Sequence, residues 1–106
     1  MLENKPSVSN QVISLAPFLN TNCKLVIKRE DLIHPYISGN KYRKLKYNLI
    51  NAKKEGFNTL LTFGGAYSNH IAAVASVGKE FGFNTIGVIR GEELIDKIDF
   101  NPTLLF

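Results

Sequence analysis

Asn58-Thr59-Leu60-Leu61-Thr62-Phe63-Gly64-Gly65-Ala66-Tyr67-Ser68-Asn69-His70 is the stretch on which the fold turns. Its first six residues, Asn58 to Phe63, have the apolar and β-branched make-up of a strand, and a glycine pair closes it. Ile71 to Phe81 follows, with Ile71, Ala72, Ala73, Val74, Ala75 and Val77 and few polar residues, which predicts a helix buried on most sides. Gly82 ends that helix, and Thr85-Ile86-Gly87-Val88-Ile89 predicts a second strand. Strand, helix and strand in this order form a crossover unit, right-handed, with its two strands parallel. The fold class is therefore α/β.

The Gly64-Gly65-Ala66-Tyr67-Ser68-Asn69 turn supports two readings. Glycines permit tight backbone turns, and Ser68 at a helix start is a good cap, so plain capping chemistry accounts for the residues. The N–H groups of a helix start also bind anions, which makes the same turn a candidate ligand site. It matches neither the dinucleotide fingerprint nor the phosphate loop of ATPases, and Ser68 does not sit in a Gly-x-Ser-x-Gly elbow.

Upstream, Ser38-Gly39-Asn40-Lys41-Tyr42-Arg43-Lys44-Leu45 begins a second amphipathic pattern. Tyr42, Leu45, Leu49 and Ala52 recur at helical spacing, which predicts a helix to about Glu55, with Asn40 as N-cap, Lys41 at the first helical position and Gly56 just past the C-cap. A helix start carries partial positive charge, yet Lys41, Arg43 and Lys44 all fall in the first turn. This is either a solvated basic face or an anion site with a reactive amine beside it. Earlier still, Lys24-Leu25-Val26-Ile27-Lys28 predicts a short strand closed by the charged run Lys28-Arg29-Glu30-Asp31. That run reads as self-paired surface charge. His34, before Pro35, reads as loop surface.

Residues 1–23, rich in Asn and Ser with Pro6 and Pro17, predict an irregular lead-in with one short apolar anchor from Val12 to Leu19. Although Lys5 supplies a charge near the N-terminus, Ser14 and Pro17 interrupt that apolar run, so no secretory signal is expected. No stretch approaches the roughly 18 apolar residues that span a membrane, and a cytoplasmic location is the default. Cys23, the one cysteine of 106 residues, has no intrachain disulfide partner and no metal-ligand spacing around it, so it reads as a small buried or half-buried residue, and no metal is expected. A net charge of +4 without interleaved aromatic platforms gives no reason to expect a nucleic-acid partner. Asn101-Pro102-Thr103-Leu104-Leu105-Phe106 has the form of a helix start, with Asn101 as N-cap and Pro102 at the first helical position. The helix body is expected beyond the last residue, so the chain reads as an N-terminal fragment.

Ser38-Gly39-Asn40-Lys41-x-Arg43-Lys44-Leu45, preceded by Lys28-Arg29-Glu30-Asp31-Leu32, resembles the pyridoxal-phosphate family of 1-aminocyclopropane-1-carboxylate deaminase and D-cysteine desulfhydrase. The resemblance is densest from Leu25 to Glu92 and absent before about Val12. It implies a two-domain fold type II enzyme, similar to the tryptophan synthase β subunit, with an open parallel sheet, flanking helices and a homodimeric parent. On that pattern residues 1–56 begin the larger cofactor domain and 57–106 the smaller βαβ domain, both incomplete.

The implied roles fall on particular residues. Lys41 holds pyridoxal 5'-phosphate as an imine, Lys44 pairs the cofactor phosphate, and Asn69 bonds the ring hydroxyl. Ser68 is catalytic, contacting the substrate amino acid and taking part in proton transfer, and Ser68, Asn69 and His70 bind the substrate. The implied products are an α-keto acid and ammonia. His70 stands where the desulfhydrase branch has histidine and the deaminase branch glutamine, while Tyr67 departs from the glutamine usual in both. A helix dipole supplies only about 0.3–1 kcal/mol toward freeing an amine of its proton, so burial and a neighbouring cation such as Lys44 have to add to it. From another class, a small basic α/β binding module without catalysis is the competing reading.

Overall fold

The computed structural model describes Leu2 and residues 6–105. Lys5 and Phe106, both used in the sequence reading, lie outside the described residues. In chain order the elements are β1 (Asn10–Ile13), β2 (Leu25–Lys28), α1 (Asn40–Lys54), β3 (Thr59–Gly65), α2 (Asn69–Phe81) and β4 (Asn84–Arg90). Short 3-10 turns span Glu30–Leu32 and Glu92–Phe100, the second broken at Lys97, whose φ is −118°.

The strand–helix–strand unit forms, with its two strands parallel as expected. β3 and β4 pair in parallel, with Leu61 opposite Ile86 and Phe63 opposite Val88. α2 packs on one face of this pair and ends at Gly82, whose left-handed φ of 76° favours glycine. Gly78 lets the helix lie against Thr85 and the Phe83 carbonyl, where any Cβ would collide. Phe63, Leu61, Ile86 and Val88, on the opposite face, remain between 45% and 68% exposed.

A single cluster joins residues from both sides of Gly56. Ile37, Tyr42, Leu45 and Leu49 pack with Ala73, Val74, Val77 and Phe83, and Ile33, Ala52, Leu60 and Phe81 border them. The stripe read from α1 is thus the face that meets α2. Full burial of a side chain such as Leu49 or Val77 stabilises by about 1.5–3 kcal/mol. The radius of gyration is 17.7 Å, against about 13 Å for a compact chain of this length, and the thinnest extent is 16 Å. Two layers account for that thin dimension.

Three expectations need correction. Residues 1–23 are not all irregular, because β1 pairs antiparallel with β2 from Asn10–Lys28 to Ile13–Leu25. The strand was hidden by its polar, exposed composition; it is an edge pairing that buries little. The Val12–Leu19 run is no anchor, since Val12, Phe18 and Leu19 are all exposed. Cys23 is exposed rather than buried.

Candidate active site

α1 begins one residue earlier than its pattern suggests. Asn40 is the first helical residue and Gly39 the N-cap, at φ 60° and ψ −144°, with no side chain capping the helix. Lys41 therefore sits in second place, half-buried, its Nζ donating to Asn40 Oδ1 at 2.7 Å. That backbone conformation is open to glycine alone, although nothing lies within 4 Å of where a Cβ would stand. Gly39→Ala is expected to cost about 1–3 kcal/mol through backbone strain alone. Denaturant melts of the variant check this, and an unchanged midpoint would show that the turn relaxes freely.

The charged run resolves part of the puzzle of a basic helix start. Arg43 makes a two-point contact with Glu30, at 2.8 and 2.7 Å, and Lys28 lies 3.0 Å from the same carboxylate. Arg29 pairs with Asp31 at 2.7 Å and reaches Gln11 Oε1 at 2.6 Å, which ties the run back to β1. The run is self-paired, as read, and it also neutralises Arg43 and braces the loop before α1 through the Gly39 N–H, which donates to the Glu30 carbonyl at 2.8 Å. Lys41 and Lys44 have no ion pair among the described residues.

Hydrogen bonding from Arg43, then from Lys28, holds the Glu30 carboxyl down at about 2, against an ordinary 4.5. Between these values the unfolded chain binds more protons than the folded one, so stability rises with pH across that window. The contribution is complete above about 4.5 and is lost as pH falls through about 2. Glu30→Gln should flatten this limb of a Tm-against-pH curve; an unaltered limb would assign acid sensitivity to other groups.

His34 is more than loop surface. Its Nδ1 accepts from the Ile37 and Tyr36 N–H groups at 3.1 and 3.3 Å, and its Nε2 lies 3.2 Å from Glu80 on α2. This half-buried ring fastens the loop ahead of α1 to the neighbouring helix.

Ser68 caps α2 as read, its Oγ accepting from the His70 and Ile71 N–H groups at 3.2 and 3.4 Å. These amides are thereby occupied instead of lying free for an anion. Capping uses the lone pairs and leaves the hydroxyl proton, for which no acceptor appears among the described residues. Neither Gly64 nor Gly65 has a positive φ, so the reading of a tight glycine turn gives way to one of close approach. A Cβ at Gly64 would stand 2.9 Å from Ser68 Oγ and 2.7 Å from Ile71 Cγ1, whereas at Gly65 it would meet open space.

An open cavity of about 580 Å³ lies where β3 and β4 end, and Gly65, Tyr67, Ser68, Arg90 and Glu93 help to line it. Ligands of open α/β sheets bind outside the carboxyl ends of the strands, the position this cavity occupies. Lys41, Lys44, Asn69 and His70 do not line it. His70 is linked to the α1 start in another way: burial lowers its pKa below 6.5, and the charges of Lys41 and then Lys44 lower it further. The starts of α1 and α2 thus lie within electrostatic reach of each other. Asn69 is the exposed first residue of α2. Arg90, opposite Gly65 in the parallel register, went unnoticed in the sequence; a β4 extended by one residue was the available signal.

A phosphate-bearing aldehyde suits these residues. Lys41 and Lys44 offer amines without anionic partners among the described residues, and a side-chain-free backbone at Gly65 leaves open space for a flat ring, although neither lysine lines the cavity there. No group of three metal-ligating side chains occurs among the described residues, and no helix is long and apolar enough to cross a membrane.

Together these elements make an α/β unit with a lysine in the first turn of one helix and a capping serine at the start of the next, the serine at the rim of a strand-end cavity. Relatives of the chain include proteins named 1-aminocyclopropane-1-carboxylate deaminase, most of them provisionally, and D-cysteine desulfhydrase. A Thermotoga maritima protein provisionally named a 1-aminocyclopropane-1-carboxylate deaminase is 41% identical over 73 residues, 68% of this chain and 23% of its own length. A similarly named Pyrococcus abyssi protein is 39% identical over 69 residues, 65% of this chain and 21% of its own. D-cysteine desulfhydrase of Salmonella newport is 35% identical over 67 residues, covering 63% and 20% respectively. The chain spans about a fifth to a quarter of the length of these relatives. No family model and no solved structure matches it.

Proposed function

We propose that the product of the complete open reading frame is a pyridoxal-phosphate-dependent deaminase or desulfhydrase. It converts 1-aminocyclopropane-1-carboxylate and water to an α-keto acid and ammonia, or D-cysteine and water to an α-keto acid, ammonia and sulfide. The observation that carries this reading is the placement of Lys41 in the first turn of α1 and of Ser68 as the cap of α2, two helices packed on each other, in a chain whose relatives bear these two names. The finer assignments belong to the same proposal: a fold type II architecture, a homodimer, and a division into residues 1–56 and 57–106.

When bound, pyridoxal 5'-phosphate supplies an electron sink for the substrate's α-carbon. Lys41 would hold its aldehyde carbon, Lys44 its phosphate, and Asn69 its ring hydroxyl. Ser68 keeps a hydroxyl proton available toward substrate while its lone pairs cap α2. His70, whose neutral form is favoured by burial and then by the charges of Lys41 and Lys44, is suited to donate or accept a hydrogen bond without adding charge.

The direct test supplies the complete gene product with pyridoxal phosphate and each amino acid in turn. Ammonia from either substrate supports the proposal, and sulfide from D-cysteine assigns the desulfhydrase branch. Uptake of cofactor with no product from either would overturn the substrate assignment, and no uptake would overturn the whole reading.

A further inference from the structure

Asn101 is a side chain that neither the cap nor the core accounts for fully. It is 3% exposed, and its carboxamide is used at both ends. Oδ1 accepts from the Thr103 and Leu104 N–H groups at 2.9 and 3.2 Å, the capping geometry read from Asn101-Pro102, although residues 102–104 form a turn rather than the expected helix start. Nδ2 donates to the Ala66 carbonyl at 3.1 Å, a contact across 35 positions of sequence. Ala66 is itself 3% exposed and lies in the turn between β3 and α2. In that turn the Ser68 N–H donates to the Gly65 carbonyl at 3.0 Å.

We infer that Asn101 is a positioning residue for Ser68: by fixing the Ala66 carbonyl it holds the Gly65–Ser68 turn, and with it the serine hydroxyl, at the edge of the strand-end cavity. Its importance for turnover rests on the proposed role of Ser68, whereas its hold on the turn rests on geometry alone. A carboxamide is the side chain that fits, because it accepts from two N–H groups and donates to a carbonyl at once. Aspartate and serine cap helices equally well, but aspartate turns an oxygen toward the Ala66 carbonyl and the serine hydroxyl is too short to reach it. In either variant a buried carbonyl loses its partner.

Hydrogen exchange read by mass spectrometry, on the complete gene product, tests this with Asn101→Asp and Asn101→Ser. Amides of residues 65–71 should exchange at least about tenfold faster in both variants, as expected when a buried hydrogen bond is removed. Those of 101–105 should keep their rates, because the cap survives. Unchanged rates at 65–71 in a folded variant would reduce Asn101 to a cap and overturn the inference. So would a wild-type turn that exchanges as fast as a free peptide, a result that needs no variant. Wild-type cofactor uptake is measured separately, so its absence would count against the proposed function and leave the exchange result standing. If turnover occurs, both variants should lower kcat more than KM.

Discussion

Replacing Lys41 by alanine in the complete gene product is expected to abolish covalent capture of pyridoxal phosphate. Turnover should fall by at least the about 10²–10⁴-fold that one positioned proton-transfer group contributes, because a covalent anchor is lost as well. The Lys41 amine stands in the first turn of a helix without a side-chain cap, bonded only to its neighbour Asn40 among the described residues. Borohydride reduction followed by peptide mapping should place the cofactor on the Lys41 peptide in the wild type and nowhere in Lys41→Ala. Lys41→Arg keeps the cation and loses the nucleophile, so it should behave like alanine. Lys44→Ala should keep the covalent link and weaken cofactor retention. Label on Lys44 or Lys46 in the wild type would move the anchor and refute the assignment of Lys41.

Ser68 offers the second large effect. Ser68→Ala should lower kcat by about 10²–10⁴-fold while cofactor capture at Lys41 persists. The loss of the α2 cap should cost about 0.5–2 kcal/mol in the same variant, so stability and turnover must be measured together. Threonine separates the two roles, because it restores the cap but adds a methyl group beside the Gly64 backbone, where even a Cβ would crowd Ser68. A stable Ser68→Thr protein with poor turnover fits a reacting hydroxyl. Near-normal turnover in both variants would leave Ser68 as a cap alone.

Much of the framework was legible because it rests on interactions within a few residues. Apolar spacing marked α1 and α2, β-branched runs bounded by glycine marked β3 and β4, and the order of those elements made the pair parallel. Gly82, Ser68 and the Asn101 cap are equally local, since each satisfies backbone groups two to four residues away. Lys41 and Ser68 lie beside helix starts on the same local terms, whereas the roles proposed for them come from the family resemblance.

What the tertiary structure alone decided is the identity of distant partners. Nothing local in Asn10–Ile13 marks a strand; pairing with β2 makes it one. Glu30 became the counter-ion of Arg43, and Glu80 the partner of His34, only once the loop before α1 was laid against two helices. Gly64 is explained by the side chains of Ser68 and Ile71 folded over it, a steric demand without a local pattern. The same holds for Arg90 at the cavity rim and for the Asn101 bond to Ala66. Periodicity reports which face of an element is buried, but the partner of a buried polar group depends on how the chain returns, and that is a property of packing.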